Sequence, residues 1–234
     1  MKDDLLEVRE LSKSYLLGTP LEVRVLKGIT FTVPHGEFVA IVGQSGSGKS
    51  TLLNILGALD QPTGGLVKID GVDISGLDPE GLAHLRNEKI GFVFQFHHLM
   101  NEFSCLENAL MPIIIRRGQA TAEERERVLG LMKRVGLEDV VHKRAHQISG
   151  GQQQRVAIVR ALANRPALIL ADEPTGNLDS VSSREVFAMM REMTAEHGVT
   201  FMMVTHDDRL AGQADRIFRI EDGAVTISAG ASGD

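Results

Sequence analysis

Aromatic side chains and net positive charge are both scarce in this chain of 234 residues. Aromatics make up 4% of the sequence, with one tyrosine and no tryptophan, so the stacking platform typical of single-strand nucleic-acid binding is missing. The formal net charge is −6, which opposes a general affinity for polyanions. We therefore expect no nucleic-acid partner, and we expect any phosphate site to be local and built from the backbone.

Cysteine and long apolar runs are also in short supply. Cys105 is the only cysteine, which excludes an intrachain disulfide and any metal site with several cysteines. We interpret it as a half-buried apolar side chain. The N-terminus is acidic where a secretory signal begins with basic residues. No segment approaches the ~20 apolar residues of a membrane helix, so we expect a cytosolic protein that does not cross a membrane alone.

The order of the predicted elements indicates a single α/β domain with an interruption. Hydrophobic residues make up 43% of the chain, enough for a sizeable core. Strand–helix alternation stops at about residue 96 and resumes at about residue 166. We therefore predict that residues 1–234 form one domain, with a core of residues 1–95 and 166–234 and a helical subdomain at about residues 96–165. An antiparallel β part is predicted near the N-terminus.

Hydrophobic periodicity gives the positions of these elements. The predicted strands are Leu5–Leu11, Val23–Val33, Glu37–Val42, Leu66–Ile69, Ile90–Phe94, Leu168–Ala171, Thr200–Thr205 and Arg216–Glu221. The predicted helices are Lys49–Ala58, Pro79–Asn87, Leu106–Arg117, Ala122–Val135, Gly150–Ala163 and Ser182–His197. The small, polar tail Ile227–Asp234 is predicted to fray.

A glycine-rich loop, GQSGSGKS, lies between an apolar strand and a helix at residues 43–50. It fits the pattern G-x-x-x-x-G-K-[ST] in the context that the pattern needs. Glycines let the backbone N–H groups point at phosphate oxygens, and the helix N-terminus adds partial positive charge. The loop therefore predicts a nucleoside triphosphate site rather than a turn used only for packing. The predicted binding residues are Gly43, Gln44, Ser45, Gly46, Ser47, Gly48, Lys49, Ser50 and Thr51.

Two of these residues have specific predicted roles, and two acidic residues extend the site. Lys49 is predicted to reach the β- and γ-phosphates, and the Ser50 hydroxyl to bind Mg²⁺. The apolar strand LILA ends in Asp172 and Glu173, and such strand ends lie beside a phosphate loop in open α/β sheets. Asp172 is predicted to hold Mg²⁺, and Glu173 to polarise the attacking water. A solvated turn without chemistry is the alternative.

The sequence ISGGQ at residues 148–152, followed by the helix QQRVAIVRALA, resembles the signature motif of the nucleotide-binding subunits of ABC transporters. This resemblance covers essentially the whole chain, although Ile148 stands where the family usually has leucine. It implies a RecA-like P-loop NTPase core and an ATPase coupled to transport. It also implies a homodimer that encloses two ATP molecules, in which one subunit's signature binds the γ-phosphate held by the other. The residues expected to do so are Ser149, Gly150, Gly151 and Gln152.

Further positions match the family in the expected order. Tyr15 resembles the aromatic residue that stacks on adenine, and Gln95 resembles the glutamine that meets Mg²⁺ and senses the membrane partner. Asp179 lies in a segment similar to the loop that crosses between subunits. His206 resembles the histidine that contacts the γ-phosphate, which makes it a predicted catalytic residue beside Glu173. Outside this context, a lone histidine would be interpreted as structural.

The segment FQFHHLMNEFS at residues 94–104 is similar to the lipoprotein-releasing members of the family. We therefore expect two integral-membrane partner subunits, a peripheral position on the cytoplasmic face of the inner membrane, and lipoprotein release toward the outer membrane. Residues 56–65 and 171–179 match a wider branch, so a macrolide-type exporter or a cell-division cassette is the main alternative. Adjacent side chains such as those of His97 and His98 point apart, so the pair makes a poor metal site. Their position just after Gln95 indicates that they lie in the groove where a membrane subunit docks.

Two alternatives from other classes are less favoured. An ABC ATPase that acts on DNA or ribosomes usually carries a coiled-coil insertion or two fused cassettes, and the sequence has neither. A small-molecule P-loop kinase would leave the signature at residues 149–152 unexplained.

Overall fold

The structure is a computed structural model that describes residues 4–230. Its strands are β1 (Asp4–Tyr15), β2 (Val23–Pro34), β3 (Phe38–Val42), β4 (Gly64–Ile69), β5 (Val72–Asp73), β6 (Ile90–Phe94), β7 (Leu168–Asp172), β8 (Thr200–Val204), β9 (Arg216–Glu221) and β10 (Ala224–Ala229). Its α-helices are α1 (Lys49–Leu56), α2 (Pro79–Lys89), α3 (Cys105–Arg117), α4 (Ala122–Arg134), α5 (Gly150–Leu162), α6 (Ser180–His197) and α7 (Asp208–Ala211).

A six-stranded sheet in the order β10-β9-β3-β8-β7-β6 forms the centre of the fold. All neighbouring strands are parallel except β10, which pairs antiparallel with β9. Every residue of β3 and of β8 is buried, because both faces of the sheet are covered and the two strands are apolar apart from Thr200. The carboxyl ends of these strands meet at one edge, and the phosphate loop follows β3 at that edge.

Alternate residues of the central strands pack into two separate hydrophobic clusters. On one face, side chains such as Val39 and Ile41 pack with α1 and with the N-terminal strands. On the other face, Phe38 and Ala40 pack with α3, α5 and α6. The period-2 alternation of a strand therefore explains how five consecutive apolar residues serve two cores.

The N-terminal strands form a four-stranded antiparallel sheet in the order β2-β1-β4-β5. This confirms the predicted antiparallel β part and, with the parallel sheet, the predicted α/β fold class. Between β6 and β7 the described elements are helical, and α3 and α5 pack on each other. These helices share one buried cluster with the central sheet, so the boundary of a helical subdomain stays a prediction.

Local sequence signals determine where these helices begin. Ser104 and Thr121 each accept a hydrogen bond from a backbone N–H three residues later, and a glutamate at that later position bonds back to the cap. Such reciprocal capping boxes satisfy N–H groups that the first turn leaves free. Cys105, the first residue of α3, is fully buried rather than half-buried.

All eight predicted strands and all six predicted helices correspond to elements of the structure. The prediction that the tail frays from Ile227 was wrong as far as Ala229, because β10 pairs with β9 over residues 224–229. Most of β10 is exposed, so backbone pairing forms this strand without a hydrophobic pattern. Residues 231–234 lie outside the described part of the chain. Within residues 4–230, no helix has the length and hydropathy needed to cross a bilayer.

We predict that Phe201→Ala strongly destabilises the fold. The Phe201 side chain is fully buried and stacks on Phe38 with ring centroids 5.5 Å apart. Its removal leaves a cavity in the core, which typically costs about 3–5 kcal/mol of unfolding free energy. Chemical denaturation of the wild type and the variant measures this loss. Phe96→Ala is the matched control, because Phe96 is 67% exposed and its loss should cost under about 0.5 kcal/mol.

Candidate active site

Two glycines of the phosphate loop occupy positions that no other residue fits. Gly48 is the N-cap of α1 with φ 109°, a left-handed conformation that side chains disfavour. At Gly43, a Cβ atom would lie 2.3 Å from the carbonyl oxygen of Ile220 on β9. The loop thus runs against the neighbouring strand, which fixes the direction of its backbone N–H groups.

The ammonium group of Lys49 lies inside this loop. Lys49 is only 7% exposed, and its Nζ donates to the carbonyl oxygens of Gly43 at 2.8 Å and Gln44 at 2.7 Å. The Ser47 backbone N–H closes a turn onto the same Gln44 carbonyl at 3.2 Å, and the Ser47 hydroxyl is buried without a hydrogen-bond partner among the described residues. The loop therefore holds a buried positive charge and a buried hydroxyl without a partner among the described residues, both of which a phosphate can bind.

Asp172 ends β7 and lies between the last residues of β6 and β8 in register. Burial and then the adjacent Glu173 carboxylate raise the pKa of Asp172, while the nearby charges of Lys49 and His206 partly oppose this shift. The structure therefore brings four of the predicted site residues within electrostatic range of one another. A carboxylate with a raised pKa gains stability from a cation beside it.

Glu173 has an unusual backbone conformation, with φ 47°. Its N–H donates to the carbonyl oxygen of Val204 at 3.1 Å, so the turn after β7 stays attached to β8. The Glu173 Oε1 atom lies 2.6 Å from Nε2 of His206. Non-glycine residues with positive φ are costly and concentrate at functional sites, and here the conformation directs the carboxylate toward the histidine.

Gln95 follows β6 and exchanges two hydrogen bonds with Asn177. Its Nε2 donates to Asn177 Oδ1 at 3.1 Å, and Asn177 Nδ2 donates to the Gln95 carbonyl oxygen at 3.1 Å. Gly176, which lies between Glu173 and Asn177 in the chain, allows Gln95 to come this close to the loop. A Cβ atom at position 176 would lie 2.8 Å from Gln95 Nε2. Gln95 is therefore attached to the loop that carries Glu173.

The signature residues begin α5 on an exposed surface. Ser149 caps the helix and forms a capping box with Gln152. Gly150 and Gly151 pass close to the start of α6, which Asp179 caps by accepting from two backbone N–H groups. Cavities of about 310 Å³ and 330 Å³ lie beside the phosphate loop, and no signature residue lines either within the described chain. The signature and the phosphate loop thus form separate surfaces of one subunit.

The larger cleft beside Glu173 and His206 has a volume of about 900 Å³. It continues from the cavity at the phosphate loop, since Thr205, His206 and Asp208 line both. Tyr15, the predicted adenine contact, ends β1 and is 40% exposed. Its hydroxyl donates to Asp60 Oδ2 at 3.0 Å.

Residues 26–176 match the family model described as "ABC transporter". The chain belongs to this family. It is 51% identical to the lipoprotein-releasing system ATP-binding protein LolD 1 of Rhodopseudomonas palustris, over 95% of this chain and 98% of that one. It is 49% identical to the macrolide export ATP-binding/permease protein MacB of Syntrophobacter fumaroxidans, over 99% of this chain and 32% of that one.

Solved structures of ABC cassettes share the fold. The dimeric cassette MJ0796, described in a post-hydrolysis state bound to ADP and Pi, superimposes with a TM-score of 0.85 at 42% identity. That match covers 96% of this chain and 98% of the other. The P-loop NTPase core predicted from the sequence is therefore confirmed, and the chain is an ABC ATPase that binds and hydrolyses ATP.

The predicted Mg²⁺ ligands of this ABC ATPase fit that ion by their chemistry. Ser50, Gln95 and Asp172 offer a hydroxyl, an amide and a carboxylate, which are hard oxygen donors. Across residues 4–230, no group of three or more histidine, cysteine or acidic side chains forms a metal cage. Mg²⁺ typically binds one or two carboxylates together with substrate phosphates and water, so the single, partly buried carboxylate of Asp172 suits it.

Sequence reasoning missed Lys13 and Asp60, which both contact Tyr15. The Lys13 ammonium lies 4.9 Å from the centre of the Tyr15 ring. Lys13 precedes Tyr15 by two residues, and residues at that spacing share one face of a strand, so the sequence contained one signal for it. Asp60 lies 45 positions from Tyr15 in the chain, and no local pattern indicates that contact.

Proposed function

We propose that this ABC ATPase powers the release of lipoproteins from the inner membrane toward the outer membrane. The observation that carries this proposal is the similarity to lipoprotein-releasing ATP-binding proteins over nearly the full length of both chains, as in the 52% identical LolD of Anaeromyxobacter dehalogenans. The similarity to macrolide exporters makes an exporter ATPase the second candidate. In either case the chain would lie on the cytoplasmic face of the membrane, held there by two integral-membrane subunits.

We propose that the phosphate loop binds ATP through its N–H groups, Lys49 and the start of α1. The ammonium that now bonds to two loop carbonyls would turn to the β- and γ-phosphates, while Tyr15 stacks on the adenine. Ser50, Gln95 and Asp172 would hold Mg²⁺, which when bound neutralises charge on the phosphates. The raised pKa of Asp172, caused by burial and by Glu173, supports a cation at this carboxylate.

Hydrolysis would use Glu173 as the general base. A water oxygen attacks the γ-phosphorus, its proton passes to the Glu173 carboxylate, and the bond to ADP breaks to give ADP and phosphate. His206 would turn its Nε2 donor from Glu173 to a γ-phosphate oxygen, which leaves the Glu173 carboxylate free to take the proton. The 2.6 Å contact between Glu173 and His206 supports these roles, since it puts the base and the donor side by side.

Two copies would enclose two ATP molecules in a head-to-tail dimer. The start of α5 offers the N–H groups of Gly150 and Gly151, the Ser149 hydroxyl and a positive dipole end, which together can bind an anion. Asp179 lies on the loop beside it, so both would reach the partner's ATP together. ATP would then join the subunits, and its hydrolysis would let them separate.

A groove of about 490 Å³ is the proposed docking site for a membrane subunit. Its walls include Phe92, Phe94 and Ile115, and its polar lining includes Arg160. Arg160 donates to the carbonyl oxygens of His97 and His98 at 2.8 Å and 2.7 Å. A helix that docks in the groove would therefore contact the segment next to Gln95, which links the membrane partner to the ATP site.

Isolation of the chain from its native membrane in mild detergent tests the proposal. We expect two integral-membrane proteins to co-purify, and we expect the complex in liposomes to release a lipoprotein only when ATP is present. Release of a macrolide but not of a lipoprotein would favour the exporter. Recovery of the chain without any membrane partner would contradict both candidates.

Ile115→Glu should disrupt docking in the groove. Ile115 is 70% exposed, so a charge there is tolerated by the free chain but meets an apolar partner when docked. We expect at least about a tenfold loss of co-purified membrane subunits, with the ATPase rate of the isolated chain nearly unchanged. Ile227→Glu, at an exposed site on β10, is the matched control. If both variants lose the membrane subunits equally, or if neither variant loses them, the groove is not the docking site.

A further inference from the structure

We propose that Lys13 and Asp60 are positioning residues that hold the Tyr15 ring in place as a platform for the base of the nucleotide. This inference rests on the proposed role of Tyr15 in adenine binding. Lys13 Nζ lies 2.6 Å from Asp60 Oδ1 and 2.8 Å from the Gln61 carbonyl oxygen. The Tyr15 hydroxyl donates to the other carboxylate oxygen of Asp60 at 3.0 Å. One carboxylate thus binds both the ring's hydroxyl and the ammonium that lies over the ring.

Burial of Lys13 gives this network its rigidity. Lys13 is 9% exposed, and a buried ammonium needs partners that replace water. Here the partners are the Asp60 carboxylate, a carbonyl oxygen and the ring face at 4.9 Å. Burial alone would raise the pKa of Asp60, but hydrogen bonds from Lys13 and Tyr15 outweigh it and hold the pKa below its usual range. The carboxylate is therefore ionised at neutral pH.

The network also connects the Tyr15 ring to the phosphate loop. Tyr15 ends β1, whereas Asp60 follows α1, the helix that begins at Lys49. Because Asp60 holds the ring from the end of that helix, the distance between the ring and the phosphate loop is fixed before a nucleotide binds. The exposed 40% of Tyr15 remains for a purine to stack on. A ring that is already ordered loses less freedom on binding than a mobile one.

The composition of the chain supplies a direct probe of this ring. Tyr15 is the only tyrosine, and the chain has no tryptophan, so fluorescence excited in the tyrosine band reports on Tyr15 alone. A phenol that donates to a carboxylate emits weakly. Asp60→Asn keeps the size of the side chain but removes the negative charge, and we expect brighter emission from Tyr15. Lys13→Met removes the ammonium from the ring and is the second variant.

Binding measurements with ATP and with inorganic tripolyphosphate separate positioning from a general structural effect. We expect Asp60→Asn and Lys13→Met to weaken ATP binding about three- to tenfold, with a higher KM and little change in kcat. Tripolyphosphate has no base, so its affinity should stay at the wild-type value. Lys27→Met, on the exposed side of β2, should leave both affinities and the emission unchanged.

Three outcomes distinguish the possibilities. If Asp60→Asn and Lys13→Met keep the wild-type emission and ATP affinity, the positioning role is overturned. It is also overturned if they weaken tripolyphosphate binding to the same extent as ATP binding. If Tyr15→Ala binds ATP as tightly as the wild type, the proposed adenine contact itself fails. If Tyr15→Ala is weakened but Asp60→Asn and Lys13→Met are not, only the inference fails. The far-UV circular dichroism spectrum shows whether each variant is folded, and either variant alone suffices should the other not fold.

Discussion

Glu173→Gln is expected to bind ATP normally and to hydrolyse it at least about 100-fold more slowly than the wild type. The amide has the shape of the carboxylate but cannot take a proton from water. The backbone contact that holds this residue, from its N–H to the Val204 carbonyl, is unaffected by the change. Phosphate release under saturating ATP measures the rate, and equilibrium binding measures the affinity.

The same variant is expected to accumulate as an ATP-bound dimer. Binding would still join two subunits through the phosphate loop and the signature, while the step that separates them is blocked. Size-exclusion chromatography should therefore give a dimer with ATP and a monomer with ADP. Glu185→Gln is the matched control, because Glu185 on α6 pairs with Arg155 outside the cleft and should keep the wild-type rate. Wild-type turnover by Glu173→Gln would exclude Glu173 as the base.

The sequence was sufficient to predict the elements that carry the site. Strand β3 is apolar throughout and β7 is apolar up to Asp172, so their burial follows from local pattern. The phosphate loop is contiguous in the chain, and its glycines have backbone conformations that other residues do not favour. Local information therefore predicts the fold class and the position of the phosphate loop at the end of β3.

Local sequence patterns do not predict contacts between segments that lie far apart in the chain. The pairs Glu173–His206 and Gln95–Asn177 depend on how separate strand ends align at one edge of the sheet. The positive φ of Glu173 has no sequence signal, since it follows from the bond that ties this turn to β8. A single hydrogen bond of this kind is determined by the packing of the whole sheet, which periodicity does not describe.

The position of the signature illustrates a different limit. Its serine and glycines predict a helix start with free N–H groups, and the structure has such a start at α5. The group that these N–H groups bind would belong to a second subunit, so no pattern within one chain indicates it. The chromatography of Glu173→Gln therefore tests the dimer proposal.

Lys49→Ala is expected to weaken ATP binding about 100-fold, since a hydrogen bond to a charged group contributes ~1.5–3 kcal/mol. The buried Nζ now donates to two carbonyls of the loop. Gln44 is exposed and Gly43 is partly exposed, so water can replace the lost donor and the loop should keep its fold. Equilibrium binding of radiolabelled ATP on filters measures the change, and an unchanged affinity would contradict the assigned phosphate contact.

Tripolyphosphate makes this last experiment specific to the phosphate part of the site. Lys49→Ala should lower the affinity for tripolyphosphate and for ATP by similar factors, because the contact that it removes is common to both ligands. Asp60→Asn should weaken ATP alone, because its effect acts through the Tyr15 ring. Lys89→Ala, whose ammonium pairs with Asp70 outside the cleft, should change neither affinity. Weaker binding of both ligands by Lys49→Ala, with weaker binding of ATP alone by Asp60→Asn, would show that base and phosphates are bound by separable groups of residues, which a general loss of folding does not produce.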